Sequence, residues 1–166
     1  MSRIPFAELP DHARLWVFPA SRPLSPEDRD RVSRTVEDSL AAWNAHGSAV
    51  HWGYELVRDQ FLVIGVDETH TALSGCSIDA CTRQIRSLEK ELNLDFLDSS
   101  RVFYRDGDRP AWLSRPAFRE RVVAGDLGLD TVIFNNVLAT VGEFRSGGWE
   151  VPARDSWHAR AFPFAS

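Results

Sequence analysis

The residues best placed to do chemistry cluster in one segment, Asp67-Glu68-Thr69-His70-Thr71-Ala72-Leu73-Ser74-Gly75-Cys76-Ser77-Ile78-Asp79. An apolar run, Phe61-Leu62-Val63-Ile64-Gly65-Val66, precedes it and helical spacing follows it. The segment therefore reads as the exit of a central strand and the entry of a helix. A helix entry presents unpaired backbone N–H groups and a partial positive charge. Gly75 lets the backbone approach a ligand closely. Cys76, placed just before the helix, would have its pKa lowered and its thiolate fraction raised there. A thiolate also needs a base. His70 lies in the same segment, and Asp155-Ser156-Trp157-His158 offers a second ring with a carboxylate nearby. A Cys–His pair oriented by an acid is the arrangement of covalent catalysis. Cys76 would be the nucleophile, His158 or His70 the base, Asp155 the orienting acid, and the helix entry the anion or oxyanion site.

Each of these residues also has a plainer role. Ser77 can cap the helix, with Asp79 favouring its first turn. Cys76 can be a small buried residue, the usual place for a free cysteine. His158, between Trp157 and Ala159, can be a hydrogen-bonded docking residue. A metal is a further reading, because Cys76, Asp79, His70 and His158 are acceptable zinc ligands by type. No C-x-x-C or H-E-x-x-H spacing supports it, so no metal and no cofactor is expected. Asp67 and Glu68 form a carboxylate pair at a strand end, where acids are commonly solvated. Asn135 and Asn136 follow a strand and suit either a polar ligand or a turn. With Ser74, Gly75, Ser77, Asp79 and Trp157 they complete the candidate ligand contacts. Phosphate-loop chemistry is excluded by its missing lysine. The single lysine, Lys90, sits mid-helix after Glu89, and no G-x-G-x-x-G or G-x-S-x-G occurs.

The elements that must position these residues can be read from periodicity and punctuation. Residues 1–13 are Pro-rich and read as an extended arm. Leu15-Trp16-Val17-Phe18 is of strand type and is broken by Pro19 and Pro23. Ser25-Pro26-Glu27-Asp28 starts a helix by capping, a first-turn proline and acids at the positive end. That helix is expected to reach about Ala45 and to end at His46-Gly47, with Val32, Val36, Leu40 and Trp43 as its apolar stripe. Val50, Trp52, Tyr54 and Leu56 alternate as a half-buried strand. Arg58-Asp59-Gln60 turns it into Phe61–Val66, which is apolar on both faces and so central. A second helix is expected from Ser77 to Asn93, burying Cys81, Ile85, Leu88 and Leu92. Arg101-Val102-Phe103-Tyr104, a turn at Asp106-Gly107-Asp108, and Ala111-Trp112-Leu113 follow. A short helix from Ser114-Arg115-Pro116 to Gly125 and a strand at Thr131–Phe134 come next, then an irregular aromatic tail from Gly147.

The order β-α-β-β-α-β over residues 1–105 is that of the ferredoxin-like split βαβ plan. The fold class is therefore α+β, in a single domain over residues 1–166, with residues 106–166 as a C-terminal α+β extension packed on the core. Length and composition suit this. The chain has 166 residues, 43% of them hydrophobic and 26% charged, with six Trp and ten Phe for an aromatic-rich core. The net charge of −5 disfavours nucleic acid, which needs a basic face. No run approaches the roughly 18 apolar residues of a membrane helix, and the opening residues lack the apolar core of a secretory signal. Cys76 and Cys81 stand five apart and read as reduced thiols of a cytoplasmic protein.

Four strings carry a resemblance. They are Leu9-Pro10-Asp11-His12-Ala13-Arg14-Leu15-Trp16, Val66-Asp67-Glu68-Thr69-His70 with Ser74-Gly75-Cys76-Ser77-Ile78-Asp79, Phe134-Asn135-Asn136, and Trp149-Glu150-Val151-Pro152-Ala153-Arg154-Asp155-Ser156-Trp157-His158-Ala159-Arg160. Together they resemble an uncharacterised small bacterial family of Bacteroidetes type, commonly mislabelled "ABC transporter ATPase". The label conflicts with the missing Walker lysine loop and signature motif, so the resemblance implies no ATPase chemistry. It does imply that residues 67–79 and 149–160 share one surface. Residues 104–134 resemble, more distantly, GYF-like modules, which bind partners rather than catalyse.

The expected function is a non-catalytic cytosolic binding or regulatory protein, acting on a protein or small-molecule ligand and capable of forming a homodimer. A small thiol-dependent hydrolase or transferase using Cys76 is one alternative, and a metal-binding protein is another.

Overall fold

The computed structural model describes residues 2–42, 50–70, 72–73 and 75–165. The expected end of the first helix, with Trp43, Ala45 and His46-Gly47, lies outside the described residues, as does Ser74.

The first half is a sheet backed by two helices. Strands β1 (Ser2–Arg3), β2 (Arg14–Pro19), β3 (His51–Val57) and β4 (Phe61–Asp67) lie in the order β1-β3-β4-β2. Helix α1 (Pro26–Ala41) starts as expected. Ser25 Oγ accepts from the Asp28 N–H at 3.1 Å, and the Ser25 N–H donates to the Asp28 carboxylate at 2.9 Å, with Pro26 in the first turn. Val32, Val36 and Leu40 are its buried stripe. Helix α2 (Gly75–Leu92) buries Cys81, Ile85 and Leu88, while Leu92 is only half-buried. It begins two residues before the expected Ser77, so Gly75 and Cys76 belong to its first turn.

Both helices pack on one face of the sheet, against Trp52, Leu62, Ile64 and Val66. The opposite face of β4 carries Phe61, Val63 and Gly65, since alternate residues point to opposite sides. The N-terminal arm folds over that face through Phe6, Leu9 and Ala13, joined by Val141. Gly65 is required by this cover, because a Cβ there would meet Leu9 Cδ1 at 2.5 Å. Burial on two sides is what makes Phe61–Val66 continuously apolar. The arm is thus a core element rather than a loose extension.

The β3–β4 turn places Arg58 and Asp59 at φ of 52° and 51° and closes with the Gln60 N–H on the Val57 carbonyl at 3.1 Å. Neither residue is Gly or Asn, so tertiary contacts must hold them there. Arg58 Nη2 donates to both Glu150 oxygens, at 2.8 and 2.9 Å, and its guanidinium lies 5.7 Å from the Phe134 ring. Asp59 pairs with Arg29 and accepts the Leu24 N–H through its carbonyl at 2.7 Å.

The second sheet has the order β6-β5-β7-β8, from β5 (Arg101–Asp106), β6 (Arg109–Ser114), β7 (Val132–Phe134) and β8 (Glu150–Pro152). Helix α3 (Arg115–Val123), capped by Ser114, lays Phe118 and Val122 against Val102, Tyr104 and Ile133. One turn, α4 (Val141–Glu143), and another, α5 (His158–Ala161), complete the fold. Phe61, Phe103, Phe134 and Trp149 form an aromatic cluster that joins the sheets.

The fold is therefore α+β with two mostly antiparallel four-stranded sheets. The split βαβ plan would set Arg101–Asp106 beside Arg14–Pro19 and end the core at residue 105. Instead β5 pairs with β6 and β7 and belongs to the second sheet. Two observations explain the departure. The outer edge of β2 is met by residues 139–140, with the Leu15 N–H on the Ala139 carbonyl at 2.9 Å and a bridge from Arg14 to Thr140. The Glu89 carboxylate also accepts the Phe96 and Leu97 N–H groups at 2.7 and 2.8 Å, which anchors the chain below the first sheet before it turns outward.

Candidate binding cleft

In residues 67–79 the acids hold the loop together. Asp67 Oδ1 accepts from the Thr69 N–H at 3.0 Å and from the Thr69 hydroxyl, and lies 3.3 Å from His12 Nε2. The Thr69 hydroxyl, above all, holds the Asp67 carboxyl below its usual range, against the opposing effect of burial. Glu68 Oε1 accepts the Leu73 N–H at 2.7 Å, and its second oxygen lies 3.8 Å from Arg14. His12 and Arg14 are participants that the local sequence does not announce, because they come from the N-terminal arm and the start of β2. His70, Gly75, Cys76 and Asp79 are exposed and Ser77 is half-buried. Cys81 is a core thiol that burial pushes up to about 11.

His158 is in a different environment, at 2% exposure. The Ser156 oxygen accepts the His158 backbone N–H at 3.3 Å and lies 3.1 Å from the Ala153 carbonyl and 2.9 Å from His158 Nδ1, which fixes the ring's orientation. Burial, and secondarily the Arg115 charge, lowers the His158 pKa to about 4, so the ring is neutral. It stacks on Trp157 with centroids 3.9 Å apart. Asp155 is exposed and makes no hydrogen bond to His158 among the described residues.

The expected Cys76–His158 pairing is not assembled. The 67–79 segment leaves β4 at the end of the sheet where β2 begins, since Arg14 pairs with Val66. His158 lies beside the far half of β2, in a cleft walled by Val17, Phe18 and Pro19. At about 3.4 Å per residue, roughly 17 Å of strand separates Arg14 from Pro19. The shared surface expected for residues 67–79 and 149–160 is likewise divided between two ends of the molecule.

The cleft has a volume of about 280 Å3. Its walls are apolar, from Phe96, Leu97, Phe103, Phe134, Val137 and Trp157, and its polar groups include Arg101, Arg115, Asn136 and His158. Trp157 Nε1 and Arg101 Nε are buried without a hydrogen-bond partner. Arg101 Nη2 pairs with Asp95 at 2.5 Å, but its Nε stands 3.6 Å from Asp98, an ion pair beyond hydrogen-bond reach. Asn136 Oδ1 is taken by the Trp149 indole N–H at 2.9 Å. Arg115 lies 5.6 Å from the Trp157 ring and has no ion-pair partner among the described residues. An adjoining cleft of about 550 Å3 shares Trp157 and Val137 and is lined by Asn135 and Asp155. There Asn135 Oδ1 is buried without a partner.

The structure thus gathers Asn136, Trp157 and His158 in one cleft and Asn135 and Asp155 in its neighbour. It leaves Asp67, Glu68, Gly75, Cys76, Ser77 and Asp79 at the other end. Arg101 and Arg115 were missed as site residues, the latter being legible only as part of a helix start. Among the described residues no three His, Cys, Asp or Glu side chains converge to hold a metal, and no helix is long and apolar enough to cross a membrane. No family model, no curated protein and no solved structure matches the chain.

Proposed function

We propose that this chain is a non-catalytic cytosolic binding protein whose small-molecule ligand occupies the cleft between the two sheets at Trp157. The observation that carries the reading is the pairing of apolar walls with buried polar atoms that have no partner, Trp157 Nε1 and Arg101 Nε. Buried polar atoms in folded proteins are nearly always satisfied, so unpartnered ones on residues that line a cleft support a binding reading. Reduced, unbridged Cys76 and Cys81 support the cytosolic setting. The thiol reading with His158 as base draws no support from the positions of the two residues.

The test is to follow the indole N–H resonances of 15N-labelled protein while adding neutral and charged single-ring fragments. The Trp157 signal should move on saturation, and Val137→Trp, placed at the cleft mouth, should abolish the response while leaving thermal stability intact. Binding that persists undiminished in the Val137→Trp protein, or that moves other indoles and spares Trp157, would refute the cleft as the site.

A further inference from the structure

We infer that the ligand is a monocarboxylate carried on one apolar ring, with its carboxylate received by the N–H groups of Arg115, Arg101 and Trp157. The inference rests on the binding-cleft reading and adds the chemical class. Its first support is an imbalance of donors. Trp157 Nε1 is a buried N–H without a hydrogen-bond partner, and Arg101 Nε makes no hydrogen bond, the Asp98 carboxylate standing 3.6 Å away. Arg115 is an exposed residue lining the cleft and has no ion-pair partner among the described residues, so its charge is open to a ligand. Asn136 has given its oxygen to Trp149, which leaves its amide N–H groups as the side that can serve a ligand.

The acid in the same cleft cannot correct that imbalance. Asp98 Oδ1 already accepts the Ser100 N–H at 2.9 Å and the Ser100 hydroxyl at 2.6 Å. Those bonds, first of all, hold its carboxyl below the usual range, so it stays charged and committed. Its Oδ2 faces Arg101 Nε at 3.6 Å, so Arg115 is the cation left over for an incoming carboxylate. The planar guanidinium suits its two oxygens, and charge-assisted bonds are the stronger kind.

The second support is shape. A volume of about 280 Å3 lies at the lower edge of ordinary ligand pockets, which suits a single ring rather than a nucleotide. Phe96, Phe103, Phe134 and Trp157 line it, and an inorganic anion would leave that apolar surface unused. The anion and the ring are therefore read by different parts of one cleft.

The experiment titrates 15N-labelled wild-type and Arg115→Met protein with sodium benzoate, benzamide, benzyl alcohol and sodium phosphate. The readout is the Trp157 indole N–H, assigned by its loss in Trp157→Phe. Benzoate should saturate and shift that proton downfield, and benzamide and benzyl alcohol should bind at least about tenfold more weakly. Arg115→Met should weaken benzoate about tenfold or more and leave benzyl alcohol unchanged, the size of one charge-assisted hydrogen bond. Equal affinity for benzoate and benzamide, or no effect of Arg115→Met, would overturn the carboxylate while the cleft reading stands. Phosphate matching benzoate would overturn the ring. A Trp157 signal unmoved by all four probes would overturn the inference, and the Val137→Trp comparison with other fragments then decides the cleft reading separately.

Discussion

The two sheets treat their polar groups differently. Around the first sheet, side chains close the loops, and no buried side-chain polar atom among the described residues there lacks a partner. Asp67 and Glu68 secure residues 67–73, Gln60 bonds the Ala20 carbonyl at 3.0 Å, and Glu89 takes two backbone N–H groups. Among the described residues, the buried side-chain atoms left without a partner, on Arg101, Asn135 and Trp157, come from the second sheet and its tail. The first half uses its polarity to fix a scaffold, and the second leaves polarity open at a cleft. The segment rich in reactive residue types is held by its own side chains, while the unpartnered polar atoms lie on residues that line the clefts.

The comparison is broken most forcefully at Phe61, which belongs to both regions. It lies on β4, is fully buried, and contacts Phe103, Phe134 and Trp149 with centroids 4.8 to 5.6 Å apart. Phe61→Ala should cost about 3–5 kcal/mol in urea unfolding, with both sheets lost in one transition. A cost below about 1 kcal/mol, or two separate transitions, would mean that the sheets are independent and that the cleft is not held by the first.

The next effect belongs to the second region alone. The folded-state pKa of His158 is near 4, against an ordinary value of 6.5. Between those values the unfolded chain binds the proton and the folded chain does not. Stability is therefore full above about pH 6.5 and falls as the pH drops toward 4. His158→Gln should flatten that part of the stability–pH curve relative to wild type. Curves of equal slope would show that the ring is solvated and does not help to build the cleft wall.

Much of the scaffold was legible because it obeys local rules. Ser25 and Ser114 cap where capping chemistry says, Gly107 turns a hairpin at φ of 60°, and the unbroken apolar run of β4 marks it as central. What local rules could not supply was pairing at a distance. Residues 101–106 are strand by composition, but which sheet they join depends on residues 139–140 occupying the edge of β2. The tail hid β8, since three residues of Glu150-Val151-Pro152 carry too little alternation to register. The candidate site divided in the same way. Asn136, Trp157 and His158 were picked for their types and do meet in the cleft, whereas Arg101 and Arg115 enter only through the fold. His158 also suits a plainer packing role, and its buried ring stacks on Trp157.

The smallest expected effect makes the sharpest distinction between the regions. Cys76 is exposed in the first turn of α2 and stands apart from the cleft walls. Cys76→Ser removes any thiolate chemistry while keeping a small polar side chain at a helix entry. Stability should change by no more than about 0.5 kcal/mol, the usual range for a surface position. Fragment binding at Trp157 should change less than about twofold, because no wall of the cleft includes the 67–79 segment. A large loss of binding would join the two ends of the molecule into one site and return the thiol to the centre of its function. Unchanged binding, set against a clear loss in Arg115→Met, would place recognition in the second region and leave the reactive-looking loop as part of the scaffold.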